Sequence, residues 1–167
     1  MPLSRFVRSL VVGVSAIVIT LVLAGLPGAA SAVGGEGSLV QKPGLDACVS
    51  EDGTGGNCAD GVDLDGASSV TVSPDGKSAY VASRFSDAVT VFDRDTTTGA
   101  LTQMAGTEAC VSETVSGGDC EYGVGLDGAR SVTFSPDGKS AYVASSNSDT
   151  VAVFDRDATT GALTQTA

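Results

Sequence analysis

Past residue 68 the chain alternates apolar and polar positions in short bursts, separated by turns rich in glycine, aspartate and serine. Ser69–Ser73 places Val70 and Val72 on one face, as in a half-buried strand. Ser73-Pro74-Asp75-Gly76 then forms a turn, because proline presets φ at the second position and glycine relaxes the exit. Ser78–Ser83 sets Ala79 and Val81 on one face and Tyr80 and Ala82 on the other, a strand apolar on both sides and therefore covered twice. Ala88–Asp93 alternates again through Val89 and Val91. A polar connection, Arg94–Gly99, leads to a short fourth strand at Ala100–Met104. No helical periodicity follows the first thirty-two residues.

The same succession returns 62 residues later. Gly44–Ala105 aligns without a gap on Gly106–Ala167, with 45 of 62 positions identical. A supersecondary unit copied so closely stacks on its neighbour to complete a shared core. Four antiparallel strands in each unit is the anatomy of a β-propeller blade, so the expected fold is all-β with blades of four strands. A β-sandwich of short strands is the competing arrangement, but it does not require 62-residue identity. Between blades, the stretch typified by Ala109–Asp127 is rich in Gly, Asp and Cys and reads as a connecting loop.

The phrases SPDGKSAYVAS…SDTVAVFD and DRDATTGALTQ resemble the repeats of the seven-bladed β-propeller lactonase family, and are similar to the YVTN-type propeller repeats of secreted and cell-surface proteins. The lactonase resemblance implies sugar-lactone ring opening in a cleft at the propeller axis, built from several blades and including histidine. This chain has no histidine, so no catalytic residue is carried over. It also holds few blades. Gly37–Gln41 matches a fourth strand, making residues 33–43 the tail of a preceding blade, followed by repeats at 44–105 and 106–167. Rings of this class close with about four to eight blades. Two leave the outer faces, with residues such as Val70, Val81 and Phe134, short of a partner. The chain is then a fragment of a longer protein, a member of an oligomer that pools blades, or a different packing.

Residues 1–32 read as a secretory signal peptide: Arg5 and Arg8, an apolar run over Leu10–Leu26, and the small-residue site Ala30-Ser31-Ala32. An uncleaved anchor is the alternative reading. Cleavage implies a secreted or cell-surface protein with no stable membrane insertion. Removing Arg5 and Arg8 moves the formal charge from −11 to −13, and the remaining basic residues are scattered, which argues against a nucleic-acid partner. The expected partners are further propeller blades and an extracellular ligand.

Export permits disulfides. Cys48, Cys58, Cys110 and Cys120 occupy one phase of the repeat, which favours the pairs Cys48–Cys58 and Cys110–Cys120. Zinc is the competing reading, weakened by the missing histidine and the wide spacing. Asp60, Asp63 and Asp65 before Gly66 faintly suggest a calcium loop, but the second repeat does not copy them. No metal or cofactor is expected. Asp93-Arg94-Asp95 and Asp155-Arg156-Asp157 recur, and their bland reading is a local Arg–Asp pair bracing the third-to-fourth strand connection. Asp75/Lys77 and Asp137/Lys139 read as turn residues, and Tyr80 and Tyr142 as core aromatics. Function in propellers resides on loops that vary. Arg84-Phe85 becomes Ser146-Asn147, and Asp60 becomes Tyr122, so Arg84, Phe85, Tyr122 and Asn147 are the candidate ligand-facing residues, with no catalytic residue assigned.

Overall fold

A computed structural model describes residues 39–114 and 120–165. The signal segment and residues 33–38 of the expected leading strand lie outside this range, and residues 39–42 carry no strand. The fold considered below lies within Gln41–Ala167. It contains twelve strands among the described residues, short 3-10 turns, and no α-helix.

Strands β1 (Val49–Ser50) and β2 (Ala59–Asp60) pair in parallel within the first cysteine-bearing insert. Strands β3 (Ala67–Val72), β4 (Ser78–Ser83), β5 (Ala88–Arg94) and β6 (Leu101–Gln103) form the first blade as an antiparallel meander. Strands β7 (Cys110–Ser112) and β8 (Glu121–Tyr122) repeat the parallel pair of the insert. Strands β9 (Ala129–Phe134), β10 (Ser140–Ser145), β11 (Thr150–Arg156) and β12 (Leu163–Thr164) form the second blade, in the order β12-β11-β10-β9. Each of the eight blade strands falls within a residue or two of its place in the hydrophobic pattern.

The insert departs from its expected role as a loop. The outer edge of β5 is shared: β6 pairs with Phe92, Asp93 and Arg94, while β7 pairs with Ala88, Val89 and Thr90. The insert thus completes the edge strand of one blade. It then crosses to the next, where Val111, Gly123 and Leu126 pack against Phe154. Cys110-Val111-Ser112 is a strand too short to show a period, which is why it reads as loop. The disulfides Cys48–Cys58 and Cys110–Cys120 form as paired by the repeat, each closing its insert.

The core lies between the blades. Tyr80, Ala82, Val89 and Val91 of blade 1 face Val132, Ala141, Val143, Ala152 and Phe154 of blade 2. Phe134 belongs here and not on an outer face: its ring meets Tyr80 edge-on with centroids 4.6 Å apart. Arg156 crosses this junction, buried, and departs from the local pairing expected of its motif. Its Nε donates to Tyr80 Oη at 2.7 Å, and Nη2 donates to Asp75 Oδ2 at 3.0 Å and Oδ1 at 3.2 Å. The Tyr80 hydroxyl donates in turn to the Gly161 carbonyl at 2.6 Å, so the phenol is satisfied both as donor and acceptor. The neighbouring Asp157 instead turns the chain, accepting from the Thr159 and Thr160 amides. Tyr142, the repeat partner of Tyr80, is part-exposed because the matching face of blade 2 is open.

This junction carries two predictions. Arg156→Ala leaves a buried phenol oxygen without its donor and Asp75 without its counter-charge, and lowers unfolding free energy by about 2–4 kcal/mol in urea titration. Asp75 is held down to about 2 from its ordinary 3.8, first by the Ser73 hydroxyl, against opposing burial, then by the Lys77 amide and Arg156. A depressed carboxylate stabilises the fold fully above its unfolded pKa, so stability is retained above pH 4 and lost as pH falls toward 2. Asp75→Asn flattens that part of the stability–pH curve.

Candidate functional site

The variable residues lie on an invariant frame at one end of the blades. In blade 1 the β4–β5 hairpin folds back on the residues leading into β3: the Arg84 amide donates to Gly66 O at 3.1 Å and the Phe85 amide to Asp65 O at 3.1 Å. Blade 2 repeats this with Ser146 on Gly128 O at 3.0 Å and Asn147 on Asp127 O at 3.2 Å. Gly66 and Gly128 are required twice over. Both have φ near +70°, and a Cβ would stand 2.7 Å from the Phe85 ring in one and from Asn147 Cγ in the other. The side chain at the hairpin tip therefore occupies the space that the glycine leaves.

Neighbouring groups tie this end together. Asp87 Oδ1 accepts from the Gly128 amide at 2.8 Å, joining the blade 1 hairpin to the start of blade 2. Glu113 Oε2 accepts from the Leu126 and Asp127 amides at 2.7 and 2.8 Å. Glu51 accepts likewise from the Leu64 amide at 2.6 Å. Gln103 and Gln165 each bracket one insert residue, Val62 and Val124, through its amide and carbonyl. These clamps carry no apolar signature and were not among the residues singled out from sequence, although Glu51/Glu113 and Gln103/Gln165 do recur at the repeat spacing.

On that frame Arg84 lays its guanidinium over the Phe85 ring at 5.2 Å, while Phe85 remains exposed. Asn147 donates to Asp127 Oδ1 at 3.0 Å, within its own blade. Arg130 Nε donates to Ser146 Oγ at 2.8 Å. Tyr122 is exposed on β8, in the insert. The structure thus brings Arg84 and Phe85 together and sets Asn147 at the equivalent place on the next blade. A cationic–aromatic pair can bind a polar ring or an anion, and the Glu113 and Asp87 carboxylates at this end accept from backbone amides.

The three aspartates of the first insert do not converge. Among the described residues, the one group of three metal-type side chains is Asp63 with Cys110 and Cys120, Asp63 Oδ2 lying 2.8 Å from Cys120 Sγ. Both sulfurs are bound to each other and offer no thiolate. Asp60 lies on β2, and Asp65 sits under the hairpin.

A family model described as "Lactonase, 7-bladed beta-propeller" matches residues 47–167. A search of curated proteins returns no match. Among solved structures, the chain is similar to a candidate 6-phosphogluconolactonase from Bacteroides fragilis, at 29% identity and a TM-score of 0.47, covering 65% of this chain and 26% of that one. It is similar also to the periplasmic gluconolactonase of Pseudomonas aeruginosa, at 29% identity and a TM-score of 0.46, covering 60% and 24%. A protein from Lactobacillus plantarum matches at 30% identity and a TM-score of 0.43, covering 59% and 26%. The chain therefore spans about a quarter of the length of the solved proteins it matches. Among the described residues no helix is long and apolar enough to cross a membrane.

The frame generates its own test. Gly66→Ala forces a strained φ and collides with Phe85, and lowers stability by about 1–3 kcal/mol in thermal or urea unfolding. Combining it with Phe85→Ala relieves the collision but leaves the φ strain, so part of the loss is recovered.

Proposed function

The chain belongs to the seven-bladed β-propeller lactonase family, and from that premise we propose that it serves a secreted lactonase-type hydrolase, supplying two adjacent blades of the ring in which a sugar lactone is opened. The observation that carries this reading is the family match, which runs through both blades and both stapled inserts. The apolar leader ending in Ala30-Ser31-Ala32 and the two disulfides support an extracytoplasmic site of action.

Lactone opening adds water across an acyl–oxygen bond. The carbonyl carbon gains the water oxygen, the ring C–O bond breaks, and the departing oxygen takes a proton to become a hydroxyl. The step needs a base for the attacking water and donors for the oxyanion. This reading assigns the base to other blades, because the chain has no histidine and Glu113 and Asp87 are engaged by backbone amides, while these two blades contribute the frame and part of the rim. In this reading Arg84 donates to a carbonyl or acidic substituent of the lactone, Phe85 offers an apolar face to the sugar ring, and Asn147 and Tyr122 supply further polar contacts.

A non-enzymatic extracellular binding or structural scaffold is the second reading, favoured by the engagement of Asp87, Glu113 and Asn147 within the fold itself. Lactone turnover separates the two. The natural secreted protein, titrated at constant pH with δ-gluconolactone, is expected to release acid faster than the buffer blank, and Arg84→Ala is expected to lower kcat/KM about tenfold, the loss of one charged hydrogen bond. A rate equal to the blank overturns the hydrolase and leaves the scaffold.

A further inference from the structure

We infer that Asp63 guards the Cys110–Cys120 disulfide against thiol reductants, its carboxylate repelling the attacking thiolate and disfavouring the departing one. The inference concerns the joint between the two inserts and stands apart from lactone chemistry.

Asp63 keeps a glycine-like backbone while adding a side chain. Its repeat counterpart Gly125 has φ +77°, and Asp63 holds the same left-handed region at φ +57°. The carbonyl at each position accepts from a threonine Oγ1 at 2.8 Å, Thr90 in blade 1 and Thr150 in blade 2. The local fold is therefore shared, and blade 1 carries a side chain where glycine alone is free of strain. That side chain reaches the next insert. Thr90 pairs with Cys110 in the β5–β7 register, so a carbonyl fixed on Thr90 sets the carboxylate beside the disulfide. Asp63 Oδ2 lies 2.8 Å from Cys120 Sγ and 3.2 Å from Cys110 Sγ. Neither sulfur of a disulfide carries a proton, so these are contacts between an anion and the bond itself.

The sequence around the bond is of one sign. No lysine or arginine occurs from residue 43 to residue 76, or from residue 105 to residue 127. Glu121 directly follows Cys120, and Glu108 stands two residues before Cys110. A neighbouring cation would stabilise a thiolate and speed exchange, and these two stretches offer none. Cys110 and Cys120 are also buried, at 1% and 6% exposure. Burial hinders every reductant alike, whereas a carboxylate in contact adds a barrier that depends on the charge of the attacker.

Thiol–disulfide exchange places negative charge at this spot twice. An incoming thiolate bonds to one cysteine sulfur while the Cys110–Cys120 bond breaks. The other cysteine leaves as a thiolate and takes a proton from water. A second thiol then displaces the first, so the protein gains two thiols and the reductant ends as a disulfide. Because Oδ2 touches both sulfurs, attack on either one meets the same carboxylate. The guard preserves the blade edge. Cys110 begins β7, which pairs with Ala88, Val89 and Thr90 and sends Val111 into the core. Opening the bond removes the covalent tie between β7 and the residue that leads into β8.

The test is reduction of the folded, disulfide-intact full chain at neutral pH by thiols whose thiolates differ in charge: cysteamine, 2-mercaptoethanol and mercaptoacetate. Quenching with iodoacetamide and peptide mass spectrometry give a rate for each disulfide in the same molecule, corrected to thiolate concentration. Asp63→Asn is expected to speed reduction of Cys110–Cys120 about three- to tenfold with mercaptoacetate, and least with cysteamine. Cys48–Cys58 is the internal reference and keeps its rate. Asp63→Gly, which matches the residue of the second repeat at this backbone position, is expected to act in the same way and replaces Asp63→Asn should that variant fail to fold. Unchanged Cys110–Cys120 rates in the folded variants, equal acceleration with all the thiols, or acceleration of both disulfides together overturns the inference. The last two outcomes mark a loosened insert and not a lost charge.

Discussion

Arg156 supplies the constraint on which the two blades depend. A guanidinium taken out of water is costly unless its donors are matched, and this one is matched by atoms drawn almost entirely from the neighbouring blade: the Tyr80 hydroxyl, the Asp75 carboxylate and Ser78 Oγ. Burial opposes its charge, yet the hydrogen bonds it donates to Tyr80 and Asp75 outweigh that and keep its pKa raised. Because Tyr80 also donates to Gly161, the contact orients β4 of one blade against the β11–β12 turn of the next. The apolar residues around it lie on both blades, so neither sheet closes a core alone. Hydrophobic burial drives the sheets together without direction. The polar cluster fixes which register they adopt.

The cysteine inserts do the complementary work at the blade edges. Each is too polar to pack by itself, and each is held by its disulfide, by a glutamate that caps backbone amides and by a glutamine that brackets one residue. With β7 added to β5 and Val111 set on Phe154, the insert spans the junction that Arg156 locks. The hairpin ends therefore ride on a rigid support, and the side chains that differ between repeats change the surface without changing the frame.

The candidate site was legible only in part. Arg84, Phe85, Tyr122 and Asn147 stand out because they break the repeat outside the central blade strands, whereas the break at Phe134 belongs to the core. Their juxtaposition was not legible: Phe85 lies on Gly66 and under Arg84 because the hairpin folds back across nineteen residues of sequence, a closure set by backbone hydrogen bonds with no side-chain pattern. The Asp-Arg-Asp motif misled in the opposite sense. Charges adjacent in sequence suggest a local pair, whereas alternation along β11 turns Arg156 to the face opposite its neighbouring aspartates, toward blade 1.

Sequence by itself determined the blade strands, the turns, the cysteine pairing and the division into two like units, because each depends on local backbone preference, on periodicity that a single strand displays, or on the 62-residue repeat. Only the tertiary structure decided that Arg156 answers Asp75 and Tyr80, that the insert supplies a blade's edge strand, and that Phe134 is covered while Tyr142 is open. Those outcomes depend on which faces meet. Identical residues in the two repeats meet different surroundings, so Tyr80 is buried and Tyr142 is exposed with the same neighbours in sequence.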